Sequence, residues 1–218
     1  MASIRIRAAL VAAFLALAAD AGAQSWGPGA DDKAFAEMLR TGFRNAGPVS
    51  VDRLVQDETQ AFCSDPVASG SAAGAKRAEQ LEAANLATVK WPADGKFLGD
   101  WRAGERIAQS GRGLTWTDAP SQANGGNCYN CHQISKQEIS FVTLGPSLYN
   151  YGKLRGVKDP SDPASKAIIE YTWGKIWNSK AYNACSNMPR AGHAGILNEA
   201  QVRHVVALLL DPNSPVNK

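Results

Sequence analysis

Several scarcities narrow what this chain of 218 residues can be. After an apolar stretch over residues 8–19, no run approaches the roughly 18 apolar residues of a membrane helix, and that first stretch is itself short for a span. No segment of any length alternates apolar and polar residues as a half-buried strand does, and no internal repeat appears. Sandwiches, barrels and solenoids are thereby excluded. Charge is nearly balanced at +3, which is no footprint of a nucleic-acid binder. Side chains able to ligate a transition metal are also few: three histidines, three methionines and four cysteines.

Two of those cysteines fall in Cys128-Tyr129-Asn130-Cys131-His132. C-x-x-C-H is the attachment signal of a c-type haem. On a helical turn the two thiols lie on one side and add across the two vinyl groups of the porphyrin. The histidine that follows turns its imidazole onto the iron from the proximal face. C-x-x-C alone also suits zinc or a redox disulfide; the adjacent histidine favours haem.

The N-terminus agrees with this chemistry. Arg5 and Arg7 precede the apolar stretch, and Ala21-Gly22-Ala23 supplies the small residues of a cleavage site. This is the three-part pattern of a secretory signal peptide over residues 1–23, cleaved near Ala23. A soluble periplasmic protein is expected, in the compartment where haem is joined to C-x-x-C-H. The mature chain of 195 residues carries 21 basic and 19 acidic side chains, unevenly placed. Residues 24–127 hold 11 basic and 13 acidic groups, and residues 128–218 hold 10 and 6. Such a bias steers an acidic redox partner or is merely a solvated surface. Cys63 and Cys185 remain over. In an oxidising compartment a disulfide between them is the simplest assignment; two buried thiols, or one free for chemistry, are the alternatives.

The pattern along the chain is helical. Helices are expected over residues 31–44, 51–62 and 76–89, with a loop of small residues over 64–74. These form an N-terminal helical extension over 24–95, ahead of a haem domain over 96–218. There, helices are expected over residues 100–110 and 163–182, and a last one opens on Asn198 with Gln201 as its capping partner. The glycine-rich Asn124-Gly125-Gly126-Asn127 leads into the motif, with the low bulk that close approach to a flat macrocycle needs.

The motif, the helices and Gly145-Pro146-Ser147-Leu148 together resemble class I cytochrome c, which implies an all-α fold. In those proteins the proline carbonyl of a Gly-Pro-x-Leu segment accepts the second N–H of the proximal histidine, a role the resemblance carries to Pro146. Otherwise the segment is a surface turn. Their second axial ligand is a methionine in a loop before the last helix, and Met188 in Asn187-Met188-Pro189 stands there. His193 and the Cys185 thiolate are the competing ligands, and core filling is the competing role for Met188. His204 lies off its helix's apolar stripe, as a solvated residue does. Histidine–methionine ligation raises the potential and saturates the iron, which suits an electron carrier.

A closer resemblance covers residues 98 to the C-terminus. Gly126-Asn127 with the motif, Gly145 to Leu148 with Tyr151-Gly152, Tyr182 to Arg190, Val205 to Pro212 and Ser214 to Asn217 are similar to the SoxX subunits of periplasmic sulfur oxidation. That resemblance implies one covalently bound haem c and a SoxA partner. It also implies a place in the L-cysteine S-thiosulfotransferase complex, which joins thiosulfate to a cysteine of the carrier SoxYZ. This chain would then be the non-catalytic subunit that passes electrons to a soluble cytochrome c. A general periplasmic electron-transfer cytochrome is the alternative.

Overall fold

A computed structural model describes residues 32–119, 121–138 and 144–218; the expected signal peptide lies outside them. Eight α-helices order the described residues: α1 (Asp32–Gly42), α2 (Glu58–Ser64), α3 (Pro66–Ser69), α4 (Ala72–Ala87), α5 (Trp101–Gln109), α6 (Tyr151–Leu154), α7 (Lys166–Trp177) and α8 (Glu199–Leu210). Short 3-10 turns join several of them, and no strand occurs among the described residues beyond an isolated bridge between Ala46 and Val49. The fold is all-α, as the sequence predicts. No helix among the described residues is long and apolar enough to cross a membrane.

α8 carries the core. Val202, Val206, Leu208 and Leu210 are fully buried, and α5 lies across it. The crossing is close because Gly104 has no side chain: a Cβ there would stand 2.7 Å from the His204 carbonyl carbon and 3.0 Å from Leu208 Cβ. α7 completes the layer through Ile169, Trp173, Ile176 and Trp177. Trp173 meets Phe97 edge-on at 5.5 Å and stacks on Trp177 at 5.8 Å, an aromatic wall beside Tyr151.

Caps decide where helices begin. Asn198 and Gln201 form the expected capping box of α8. Asp100 caps α5, and its own N–H donates to His204 Nδ1 at 2.9 Å. His204 is therefore a half-buried acceptor with its proton on Nε2, rather than a solvated side chain.

The N-terminal part differs from expectation in its boundaries. A single helix over 51–62 is expected; instead a 3-10 turn over Val51–Leu54 precedes α2. The reason is Asp57, whose carboxylate accepts the Gln60 N–H while Gln60 returns the bond, so the helix restarts there. The expected loop over 64–74 contains α3, capped by Asp65 with Pro66 in its first turn, and the start of α4, capped by Ser71. The helix expected over 163–182 ends at Trp177, where Asn178 adopts extended backbone before a 3-10 turn over Ser179–Ala181.

Candidate haem site

Cys128–Asn130 forms a 3-10 turn that follows Asn127 in the left-handed conformation (φ 49°). His132 donates its backbone N–H to the Cys128 carbonyl at 3.0 Å, which folds the motif into one turn. The two glycines before it lie against the end of α5 and against the first thiol of the motif. A Cβ on Gly125 would stand 2.5 Å from Ser110 Cβ, and the Gly126 N–H donates to the Ile107 carbonyl at 2.8 Å. The low bulk of Gly125 docks the motif against the end of α5, and that of Gly126, where a Cβ would stand 3.0 Å from Cys128 Sγ, leaves room for the first thiol.

Cys128 and Cys131 are both free thiols. Burial pushes the Cys128 thiol up to about 11, so it stays protonated at neutral pH and suits an apolar neighbour. Cys128 and Tyr129 pack against the core alongside Leu148, Ile168 and Met188. His132 Nδ1 lies 2.7 Å from the Pro146 carbonyl. With Nδ1 as donor, Nε2 is left with its lone pair for a metal. The loop closes over this ring through the Gly145 N–H, which donates to the Cys131 carbonyl at 3.0 Å, and the Leu148 N–H, which donates to the Gln133 carbonyl at 2.7 Å. Gly145 is a packing requirement: a Cβ there would stand 2.5 Å from His132 Nδ1 and 2.8 Å from Nε2.

Met188 is half-buried in a turn-rich loop and packs on the same core. Its N–H donates to Ser186 Oγ at 3.2 Å, and its carbonyl accepts from Ser179 Oγ at 2.5 Å. His193 is exposed, and its backbone N–H donates to the Trp177 carbonyl at 2.9 Å, a local loop role. Desolvation first, then the nearby Arg190, lower its pKa, so it stays neutral at neutral pH. Cys185 is bonded to Cys63 and holds no free thiolate for a metal.

The residues fit a covalent haem on their own chemistry. Two thiols that do not pair with each other flank one turn, and the next side chain is an imidazole with one nitrogen committed to a carbonyl. Among the described residues, no three His, Cys, Asp or Glu side chains converge as a zinc set would. Sequence reasoning missed the polar residues that hold the Met188 loop: Asn178, Ser179, Glu82 and Asn85. Their one signal was the Asn178-Ser179 pair interrupting an apolar stretch.

This helical fold, with a C-x-x-C-H turn beside a histidine-fixing proline loop, defines a c-type cytochrome, an electron-transfer haem protein. The cytochrome c family model matches residues 121–211. An uncharacterized lipoprotein of Aquifex aeolicus (strain VF5) is 36% identical over 166 residues, which cover 75% of this chain and 73% of that protein. The chain belongs to the c-type cytochromes, in one family with that Aquifex protein. Membership implies a covalently bound haem c.

Proposed function

We propose that this chain is the electron-transfer subunit of a SoxAX-type L-cysteine S-thiosulfotransferase, with residues 96–218 as its cytochrome domain. One haem c would be held by Cys128 and Cys131, and His132 and Met188 are the residues that would ligate its iron. Pro146 orients His132, and the observation that carries this reading is the 2.7 Å contact between His132 Nδ1 and the Pro146 carbonyl. That contact belongs to the Gly145-Pro146-Ser147-Leu148 segment, one of those similar to SoxX. An extracytoplasmic, periplasmic location is supported by the cytochrome c match and by the lipoprotein description of the Aquifex relative.

Haem c, when bound, supplies a one-electron iron couple. The chain's own residues set its environment. Pro146 raises the basicity of His132 through the shared proton, and a Met188 thioether favours the reduced form. With His132 and Met188 both ligating the iron, this chain would leave thiosulfate no place to coordinate. Forming a sulfur–sulfur bond between thiosulfate and a SoxYZ thiol releases a proton and two electrons. That step belongs to SoxA, and this chain relays the electrons to a soluble cytochrome c.

Two experiments test the reading. Tagged holoprotein expressed in its own periplasm should copurify with a SoxA-type cytochrome. Recovery without one leaves a general electron-transfer cytochrome and refutes the assignment to the complex. In the oxidised protein, the weak methionine–iron band at the red end of the visible spectrum should vanish in Met188→Ala. An unchanged band there refutes Met188 as ligand.

A further inference from the structure

The Met188 loop is anchored on both sides by the N-terminal extension. Three residues before Met188, Cys185 is joined to Cys63 of α2 across 122 residues of sequence. Two residues after it, Arg190 pairs with Asp57 at 2.6 Å, and Arg190 is only 16% exposed. Burial opposes ionisation of Asp57, but the Gln60 N–H and the Arg190 guanidinium outweigh it and hold its pKa below the ordinary value. The Ala184 N–H donates to Glu82 Oε1 of α4 at 2.9 Å. Asn178, fully buried, donates to Asn85 Oδ1 at 3.0 Å and to Thr88 Oγ1 at 3.0 Å. Asn85 is fixed in turn by donating to Thr59 Oγ1 at 2.9 Å. Ser179, next along the chain, completes the path by donating to the Met188 carbonyl.

The haem domain holds the loop by packing, by the Ser179 hydroxyl on the Met188 carbonyl and by Lys180 Nζ, which donates to the Ala184 carbonyl at 2.9 Å. The disulfide, the Arg190 ion pair and the Ala184 N–H bond run instead to residues 57–88. A loop exchanges conformations in proportion to how few such attachments it must break. We propose that residues 57–88 form a clasp that keeps the Met188 loop in one conformation, and so keeps the iron's second axial position shut to outside ligands. Asp57, Glu82 and Asn85 are its positioning residues. The proposal rests on Met188 being the ligand, and it gives the extension a task that a minimal cytochrome domain does not assign: gating ligand exchange.

Cyanide is the probe, mixed with the oxidised, full-chain holoprotein while the loss of the methionine–iron band is followed. Glu82→Ala, Asn85→Ala and the double variant Cys63→Ser/Cys185→Ser should each bind cyanide about tenfold faster than wild type or more, the ratio expected when one well-made attachment is lost. Glu82→Gln keeps an oxygen to accept the Ala184 N–H and should retain the wild-type rate. Arg203→Ala removes a different tie to the same extension, the pair with Asp94. It should leave the cyanide rate unchanged even where it lowers the melting temperature, which separates positioning from general stability. Glu82 is half-buried at the surface, so Glu82→Ala reads the clasp even if the double serine variant fails to accumulate. Wild-type rates in folded Glu82→Ala and Asn85→Ala, with the band present, overturn the clasp and leave the ligand reading standing. Absence of the band in wild type overturns both.

Discussion

Replacing Gly145 by alanine tests whether the proximal loop fixes His132 by contact. The new Cβ would stand 2.5 Å from His132 Nδ1, well inside the 3.0 Å that real Cβ contacts respect. The ring cannot swing aside while keeping Nδ1 at 2.7 Å from the Pro146 carbonyl. Moving the loop instead breaks the Gly145 N–H bond to Cys131. Either escape loses a hydrogen bond of about 1 kcal/mol and leaves overpacking of about 1–3 kcal/mol, so the holoprotein should lose roughly 2–4 kcal/mol. For a chain of this size that lowers the melting temperature by on the order of 5–15 °C. A second readout follows the histidine itself. Weakening the Nδ1 hydrogen bond lowers the basicity of Nε2, so the reduction potential should rise. The assay is thermal unfolding of purified holoprotein with a spectroelectrochemical titration beside it. Gly42→Ala, where a Cβ meets nothing within 4 Å, is the control. A Gly145→Ala protein with wild-type melting and potential refutes the argument.

At the α5–α8 crossing, Gly104→Ala should destabilise by about 1–3 kcal/mol despite alanine's better helix propensity, because the added carbon meets backbone; a higher melting temperature refutes the close crossing. Asp94→Asn probes acid stability. The hydrogen bond from Arg203, aided by the Lys96 N–H, lowers the Asp94 pKa from 3.8 to about 2. A depressed carboxyl stabilises the fold above its unfolded pKa and loses that contribution as pH falls through the folded one, so wild type and Asp94→Asn should differ at neutral pH and converge between pH 3.8 and about 2. Acid unfolding curves separated by a constant offset throughout would refute the pairing.

What the sequence revealed, and what it hid, follows from how local each cause is. The haem turn, the capping box of α8 and the turn-rich setting of Met188 are all written within a few residues, and they were legible. Asp57-Gln60 and Asp65-Pro66 are equally local start signals. The helix expected over 51–62 passes over the first of them, yet Val55 within it is 74% exposed and belongs to no core stripe. Gly125 makes room for Ser110 at the end of α5; the close approach is visible in a glycine pair, but this neighbour is not. The ties from the extension span 90 residues, between Thr88 and Asn178, to 133, between Asp57 and Arg190, so no pattern along the chain could have displayed them.

The uneven charge takes on a different meaning once the two parts are seen together. The excess of base after residue 127 and of acid before it invites the idea of steering an acidic partner. Part of that excess is spent inside the molecule. Arg190 faces Asp57, Arg203 faces Asp94, and Glu82 favours the charged form of Lys175, whose pKa burial lowers. The bias is therefore in part the complementarity of the extension for the cytochrome domain. On the proposed reading, a redox partner would be steered by cations away from this seam, such as Lys136, Lys153 and Lys158, all exposed. Charge reversal there should slow association with a soluble cytochrome at low salt. Reversal at Arg190 should instead act on the Met188 loop, because its guanidinium is committed within the chain before any partner arrives.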